Sequence, residues 1–218
     1  MKTFDLLGLG HAAICIISDV LVKTCGGKAL IRIIKNIRDN DDRLFKLKTL
    51  KYEEIDFDIW NPLSEAEIFI GAVNVEPKKI IYKFFNEKKS IGFKNYCNLI
   101  HPDSSIAEDV SMKNGILICA GTVIAPFTEI GNMVTINRNV SIGHHIKISD
   151  FCTINPGANI AGGCEIGERV TIGMGAIILD GIKIGKNTVI GAGSLVTSDI
   201  PENVIAYGSP AKVIRQNK

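Results

Sequence analysis

Isoleucine, or a close substitute, recurs at every sixth position from Ile100 onward. The run passes Ile106, Met112, Ile118 and Ile124 and continues without an insertion to Ile184, Ile190 and Val196. The fourth residue after each is small or β-branched, as at Thr122, Val134, Cys152, Ala158, Cys164 and Ser194. The residue just after is often Gly or Asn, as at Gly131, Asn137, Gly143, Asn155, Gly167, Gly173 and Gly185. A period of six fits neither an α-helix nor a lone strand of period two, and it marks a hexapeptide β-helix. Each hexapeptide supplies a short strand with one buried aliphatic and a tight corner. Three of them close a triangular coil, so the run predicts a little over five coils, stacked about 25 Å tall at the inter-strand spacing.

Before Ile100 the period vanishes and strand and helix signals alternate. Phe4 to Leu9 reads as a buried strand, and His11 to Lys23 carries apolar residues at helical spacing, stopped by Gly26-Gly27. Ala29 to Ile34 and Glu67 to Ala72 read as further strands. Asn74 is placed to cap a helix through Glu87, with Pro77 in its first turn and Ile80, Ile81, Phe84 and Phe85 on one face. The stretch 36–58 is polar and poorly periodic, and no element is assigned there. Strand–helix–strand order with short loops implies a small parallel sheet of Rossmann-like α/β type. The expected organisation is an α/β domain over 1–99, a parallel β-helix over 100–199 and a closing segment over 200–218.

A net charge of +2 gives no footprint for nucleic acid. The apolar N-terminal stretch is interrupted by Gly8, Gly10, His11 and Asp19, too short and broken to span a bilayer, and no small-residue cleavage site follows. Of six cysteines, Cys152 and Cys164 fall at the small inward positions of the repeat, where cysteine is a core hydrophobe. Reduced thiols in a cytoplasmic protein are the expectation. Gly8-Leu9-Gly10-His11-Ala12-Ala13 fits a dinucleotide-binding fingerprint, but the acidic residue expected after the second strand is missing, since Lys35 and Asn36 stand there. A single nucleotide or a nucleotide-linked sugar fits a domain of this size better than a nicotinamide cofactor.

Several short motifs sharpen this reading. They are Gly10-His11-Ala12, Asn98-Leu99-Ile100-His101-Pro102, Ile136-Asn137, Ile142-Gly143-His144, Ile154-Asn155-Pro156-Gly157-Ala158 and Gly208-Ser209-Pro210-Ala211-Lys212. Together they resemble the sialic acid O-acetyltransferase and nucleotide-sugar N-acetyltransferase family of left-handed β-helix acyltransferases, over nearly the whole chain. The resemblance implies left-handed coils, acetyl-CoA as donor, a homotrimer, and a nucleotide-linked amino sugar or a sugar hydroxyl as acceptor. It makes His144 the general base. The residue after that histidine is usually acidic in the family; here it is His145, so the orienting carboxylate is absent from its usual place. The resemblance places the acceptor at Gly8, Gly10, His11 and Asn137. It places CoA at Thr153, Gly162, Gly173, Ala192 and Lys212, with the Gly162 amide as an oxyanion donor and Arg215 beside Lys212 for the phosphates. The family's loop usually reads G-x-x-G-H; Gly8-Leu9-Gly10-His11 is one residue tighter, or Leu7 stands in place of the first glycine.

The residues themselves suit that chemistry. Acyl transfer needs a base, donors for a tetrahedral oxyanion and a groove for the thioester carrier. Histidine is the side chain whose titration lies nearest neutrality, and His144 and His145 take outward positions of their hexapeptide. The plainer alternatives are a solvated corner pair for the histidines and tight-corner packing for the glycines. A zinc enzyme built on the same repeat would need three histidines from neighbouring coils, and the chain has only His11, His101, His144 and His145. A β-helix that binds without catalysing is the remaining class; acetyl-CoA binding discriminates against it.

Overall fold

The computed structural model describes residues 2–8, 11–36 and 49–217, with the backbone only for His11 and Ala12. Contacts divide the chain into two compact units, Met1–Pro102 and Asp103–Lys218.

In the first unit, β1 (Lys2–Leu7), β2 (Ala29–Lys35), β3 (Lys51–Asp56) and β4 (Glu67–Ile70) pair in parallel in the order β3-β2-β1-β4. The inner strands are nearly continuous apolar runs, with Phe4, Leu6, Leu7, Ile31, Ile33 and Ile34 all buried, as a sheet covered on both faces requires. Helix α1 (His11–Cys25) joins β1 to β2 and ends where Gly26 and Gly27 take φ of +58° and +73°. Helix α2 (Val75–Lys89) follows β4. Its buried face is Lys78, Ile81 and Phe85, whereas Ile80, expected on that face, is exposed. Asn74 has the extended backbone of a cap but makes no side-chain capping bond. Strand β3 lies within the stretch where the sequence assigned no element. As an edge strand it is largely exposed, so its side chains carry little hydrophobic pattern. Residues 37–48 of that stretch lie outside the described residues.

A buried ion pair ties this sheet together. Asp5, with no exposed surface, sits opposite Arg32 in the β1–β2 register. It accepts two 2.6 Å bonds from the Arg32 guanidinium and a 2.9 Å bond from the Trp60 indole nitrogen. Trp60 in turn packs edge-on against Phe85 of α2.

The second unit is a parallel β-helix. Two-residue strands stack coil on coil at a spacing of eighteen residues, as Ser105, Val123, Ser141, Asn159, Ile177 and Leu195 do along one face. The main chain repeats the same link at each step: Val123 N–H donates to Val140 O, and Ser141 N–H to Ala158 O. The repeat isoleucines fill the interior, and Cys152, Ala158, Cys164, Thr122 and Ser194 fill the small inward positions. Glycine directly after the repeat isoleucine is steric in origin. A Cβ on Gly143 would lie 2.8 Å from the Gly162 amide of the next coil. From Met112 to Ile190 the third residue after each repeat position is left-handed. This holds for non-glycines too: Phe127, Met133, Asn139, His145, Phe151, Arg169 and Asn187 take φ between +53° and +61°.

The three faces differ chemically. One presents Glu129, Lys147, Glu165 and Lys183 in lateral register, with Lys183 Nζ 2.8 Å from Glu165 Oε1. The face through Val123 and Ile177 leaves these two 49% and 44% exposed. The third carries Leu117, Thr135 and Thr153, all buried, and is completed by Val204–Gly208 and the antiparallel strand Ala211–Gln216. No helix among the described residues is long and apolar enough to cross a membrane.

Removing the Asp5 carboxylate strands the Arg32 charge and the Trp60 N–H in the interior. Asp5→Ala is expected to lower the stability of the first unit by about 3–5 kcal/mol. Urea unfolding followed by the fluorescence of Trp60, the sole tryptophan, measures this. A loss below about 1 kcal/mol would show that the pair behaves like a surface one.

Candidate functional site

Two places in the molecule gather the residues singled out above. In the first unit, strand order reverses between β1 and β4, since β2 and β3 continue to one side of β1 and β4 lies on the other. The carboxyl ends at such a reversal are where open α/β sheets form ligand crevices. Gly8 follows β1 with φ +81°, and its amide donates to Ile34 O at 2.8 Å. Gly71 follows β4 and donates to Leu7 O at 2.8 Å; a Cβ on Gly71 would run into the Gly8 carbonyl. These two glycines let the ends of β1 and β4 cross at close range. Helices α1 and α2 both begin within a few residues of this point, at His11 and Val75. Backbone N–H groups at helix starts favour phosphate. Gly71 was not among the expected site residues; its signal is a glycine directly after the apolar run Ile68-Phe69-Ile70. Gly10 lies outside the described residues, and for His11 only its place as first residue of α1 is described. Lys35, at the end of β2, is paired with Glu54 at 3.3 Å and Asp56 at 3.7 Å from β3.

In the β-helix, the eighteen-residue repeat stacks Glu108, Pro126, His144, Gly162, Asp180 and Ser198 in one corner column. His144 and His145 are both exposed. Their Nδ1 atoms are 3.0 Å apart and their rings nearly perpendicular, at 87°. The His144 ring lies over Gly162: a Cβ on Gly162 would come within 2.7 Å of Cε1 and 2.9 Å of Nε2. Only glycine leaves room for the ring in this position. The left-handed corner at His145 turns its ring beside Phe127, centroids 4.8 Å apart and planes at 41°. Gly162 N–H donates to Asp180 Oδ1 at 3.0 Å. An oxyanion on that amide therefore displaces the Asp180 carboxylate or shares the donor with it.

The other expected residues are placed differently. Gly173 and Ala192 meet at a second corner, where a Cβ on Gly173 would strike the Ala192 amide, so coil packing alone demands this glycine. That corner precedes the strand Ile177–Ile178, whereas the His144–Gly162 column follows the strands of the same face. Within one chain, Gly162 and Gly173 thus stand on opposite edges of one face and do not line a single groove. Asn137 shares the Gly173 column two coils earlier. It is only 6% exposed, and its Oδ1 accepts from the Arg138 amide at 2.9 Å. Thr153 is 1% exposed, so its side chain is closed to a ligand. Lys212 and Arg215 are exposed on the final strand. Among the described residues no group of three His, Cys, Asp or Glu is arranged to hold a metal ion.

Residues 163–198 match the bacterial transferase hexapeptide (six repeats) family. A search of curated protein sequences found no match. Solved structures share the fold over almost the entire chain. The acetyltransferase domain of PglB from Neisseria gonorrhoeae FA1090, in complex with acetyl coenzyme A, superposes with a TM-score of 0.81 at 20% identity, covering 98% of this chain and 99% of that one. PerB from Caulobacter crescentus, in complex with CoA and GDP-perosamine, gives 0.75 at 24% identity over 98% and 97%. WeeI from Acinetobacter baumannii AYE gives 0.80 at 20% over 98% and 100%.

Proposed function

We propose that the protein is an acetyl-CoA-dependent N-acetyltransferase acting on a nucleotide-linked amino sugar. The observation that carries the proposal is the His144 ring, laid over Gly162 at a β-helix corner with its Nδ1 engaged by His145. The similar structures supply the ligand classes: the PglB domain binds acetyl coenzyme A, and PerB binds CoA with GDP-perosamine. In this reading the coils are left-handed, the first unit is Rossmann-like and the protein works in the cytoplasm.

The chemistry follows from a base with one open nitrogen. His144 Nε2 takes a proton from the sugar amine as the nitrogen lone pair attacks the thioester carbonyl. The carbonyl π pair moves onto oxygen, giving a tetrahedral oxyanion beside the corner amides. Collapse re-forms the carbonyl and breaks the carbon–sulfur bond, and the proton on His144 passes to the departing thiolate. Amine and thioester become amide and thiol with atoms balanced. For the Gly162 amide to serve the oxyanion, Asp180 gives up its 3.0 Å bond. In the first unit, the close approach of Gly8 and Gly71 with the starts of α1 and α2 suits the nucleotide phosphates; Gly10 and His11 are kept as candidates for the sugar from the sequence alone. Lys212 and Arg215, exposed on the last strand, carry the charge to meet CoA phosphates.

We also propose that the working form is a homotrimer. The His144–Gly162 edge and the Gly173–Ala192 edge lie on opposite sides of one face, so one CoA touches both kinds of edge only if a second copy contributes one. The face between them carries the exposed Val123 and Ile177, with Phe127, Met174 and Leu179 exposed at its borders. An apolar surface of this kind favours closed association of copies. Light scattering is expected to give a trimer mass; a stable, fully active monomer contradicts it.

His144→Asn is expected to reduce turnover about a hundredfold or more, the usual contribution of a general base. Acetyl-CoA affinity, measured by calorimetry, is expected to stay within about threefold, because the base contributes chiefly to the transition state. Turnover within tenfold of the parent would remove His144 from the chemistry.

A further inference from the structure

The contact between His144 and His145 determines which nitrogen of His144 is available. A neutral imidazole has one N–H and one lone pair. Two neutral rings that meet Nδ1 to Nδ1 at 3.0 Å therefore have two hydrogen-bonded arrangements. In one, His145 donates, which leaves His144 protonated on Nε2 and unable to accept a proton there. In the other, His144 Nδ1–H donates to a bare His145 Nδ1, and the lone pair of His144 lies on Nε2, over Gly162. Only the second makes a base.

We propose that His145 is a positioning residue: a neutral hydrogen-bond acceptor that holds His144 in the Nδ1–H tautomer. The inference rests on the proposed acetyl transfer for its kinetic consequences but not for the tautomer itself. When His144 takes the proton of the acceptor, the resulting imidazolium donates to His145 Nδ1, a charge-assisted bond stronger than the neutral one it replaces. A neutral acceptor supports that cation less than a carboxylate does.

The charged groups on the surrounding coils leave this role to His145. On the corner column Glu108 and Asp109 lie two coils before the pair, and Asp180 lies two coils after it. The Asp180 carboxylate is bonded to the Gly162 amide. Lys147 stands two residues along the chain on the neighbouring face, between Glu129 and Glu165 of the adjacent coils, and Glu165 is paired with Lys183 at 2.8 Å. The ring position of His145 is set by its left-handed corner, φ +55°, and by the contact with Phe127.

The corner geometry also supplies clean substitutions. Glycine occupies the equivalent left-handed position at Gly163 and Gly181, and asparagine occupies it at Asn139 and Asn187. His145→Gly and His145→Asn therefore suit the backbone while removing or shortening the acceptor, and His145→Asp charges it with a residue type that tolerates the left-handed region.

The test has two readouts on the full-length protein. Long-range nitrogen–proton NMR assigns ring tautomers directly, and with four histidines in the chain single substitutions identify the signals. With both rings neutral, His144 is expected to carry its proton on Nδ1 and His145 on Nε2. In His145→Gly, the His144 signals are expected to shift toward the mixture of a free imidazole. The second readout is the pH dependence of kcat/KM for acetyl transfer. His145→Asp is expected to move the acid limb up by about one pH unit, and His145→Gly to lower the plateau about tenfold or more. His145→Asn is expected to recover part of that loss. A His144 protonated on Nε2, or a tautomer unchanged by His145→Gly, overturns the proposal whatever the activity. The expected tautomers in a protein without acetyltransferase activity sustain the pairing and remove only the functional reading.

Discussion

Everything in the second unit depends on the eighteen-residue register of its main-chain ladder. Each coil donates to the next through the same N–H and accepts through the same carbonyl, so one residue inserted within a strand would throw the coil that holds it out of register with its neighbours. The register also turns sequence distance into position. Residues separated by multiples of eighteen share a column, which is why His144, Gly162 and Asp180 meet at one corner although they span three coils. Corner geometry and core packing are thus one constraint. The aliphatic that fills the prism and the histidine that projects from its edge are held by the same hydrogen bonds.

The β-helix was legible because its signal is redundant: many coils ask for the same residue at the same position. What was less legible depends on contacts the repeat does not dictate. The left-handed position of each corner is occupied by Phe127, His145, Arg169 and Asn187 as well as by glycine, so composition alone does not reveal it. Thr153 and Asn137 occupy positions that read as outward or corner sites, yet both side chains are buried. Gly162 and Gly173 read as successive points on one groove, but the strands between their corners set them on opposite edges. In the first unit, β1 and β2 announced themselves by apolar runs, whereas the exposed edge strand β3 did not. Asp5, Arg32 and Trp60 are far apart in sequence, and their pairing emerges only once the sheet is formed.

The three faces of the prism show how a repeat protein gains function without losing its fold. Inward positions are nearly invariant in character, while outward ones vary freely. The face bearing Glu129, Lys147, Glu165 and Lys183 alternates charge along the ladder, which suits water and discourages apolar association. The face bearing Val123 and Ile177 exposes these two among Ser105, Ser141 and Asn159, and both candidate edges border it. The His144 corner lies where these two faces meet. The left-handed corner there holds His145, whose Nδ1 meets that of His144 at 3.0 Å.

The most direct test of the account is to incubate the protein with acetyl-CoA and a panel of nucleotide-linked amino sugars and to analyse the products by mass spectrometry with fragmentation. The account predicts one acetyl group per acceptor, carried on the sugar nitrogen, with one equivalent of free CoA released. Acetyl found on a sugar hydroxyl would contradict the amine assignment. Unchanged acceptors across the panel, with acetyl-CoA bound but intact, would contradict the enzymatic reading itself.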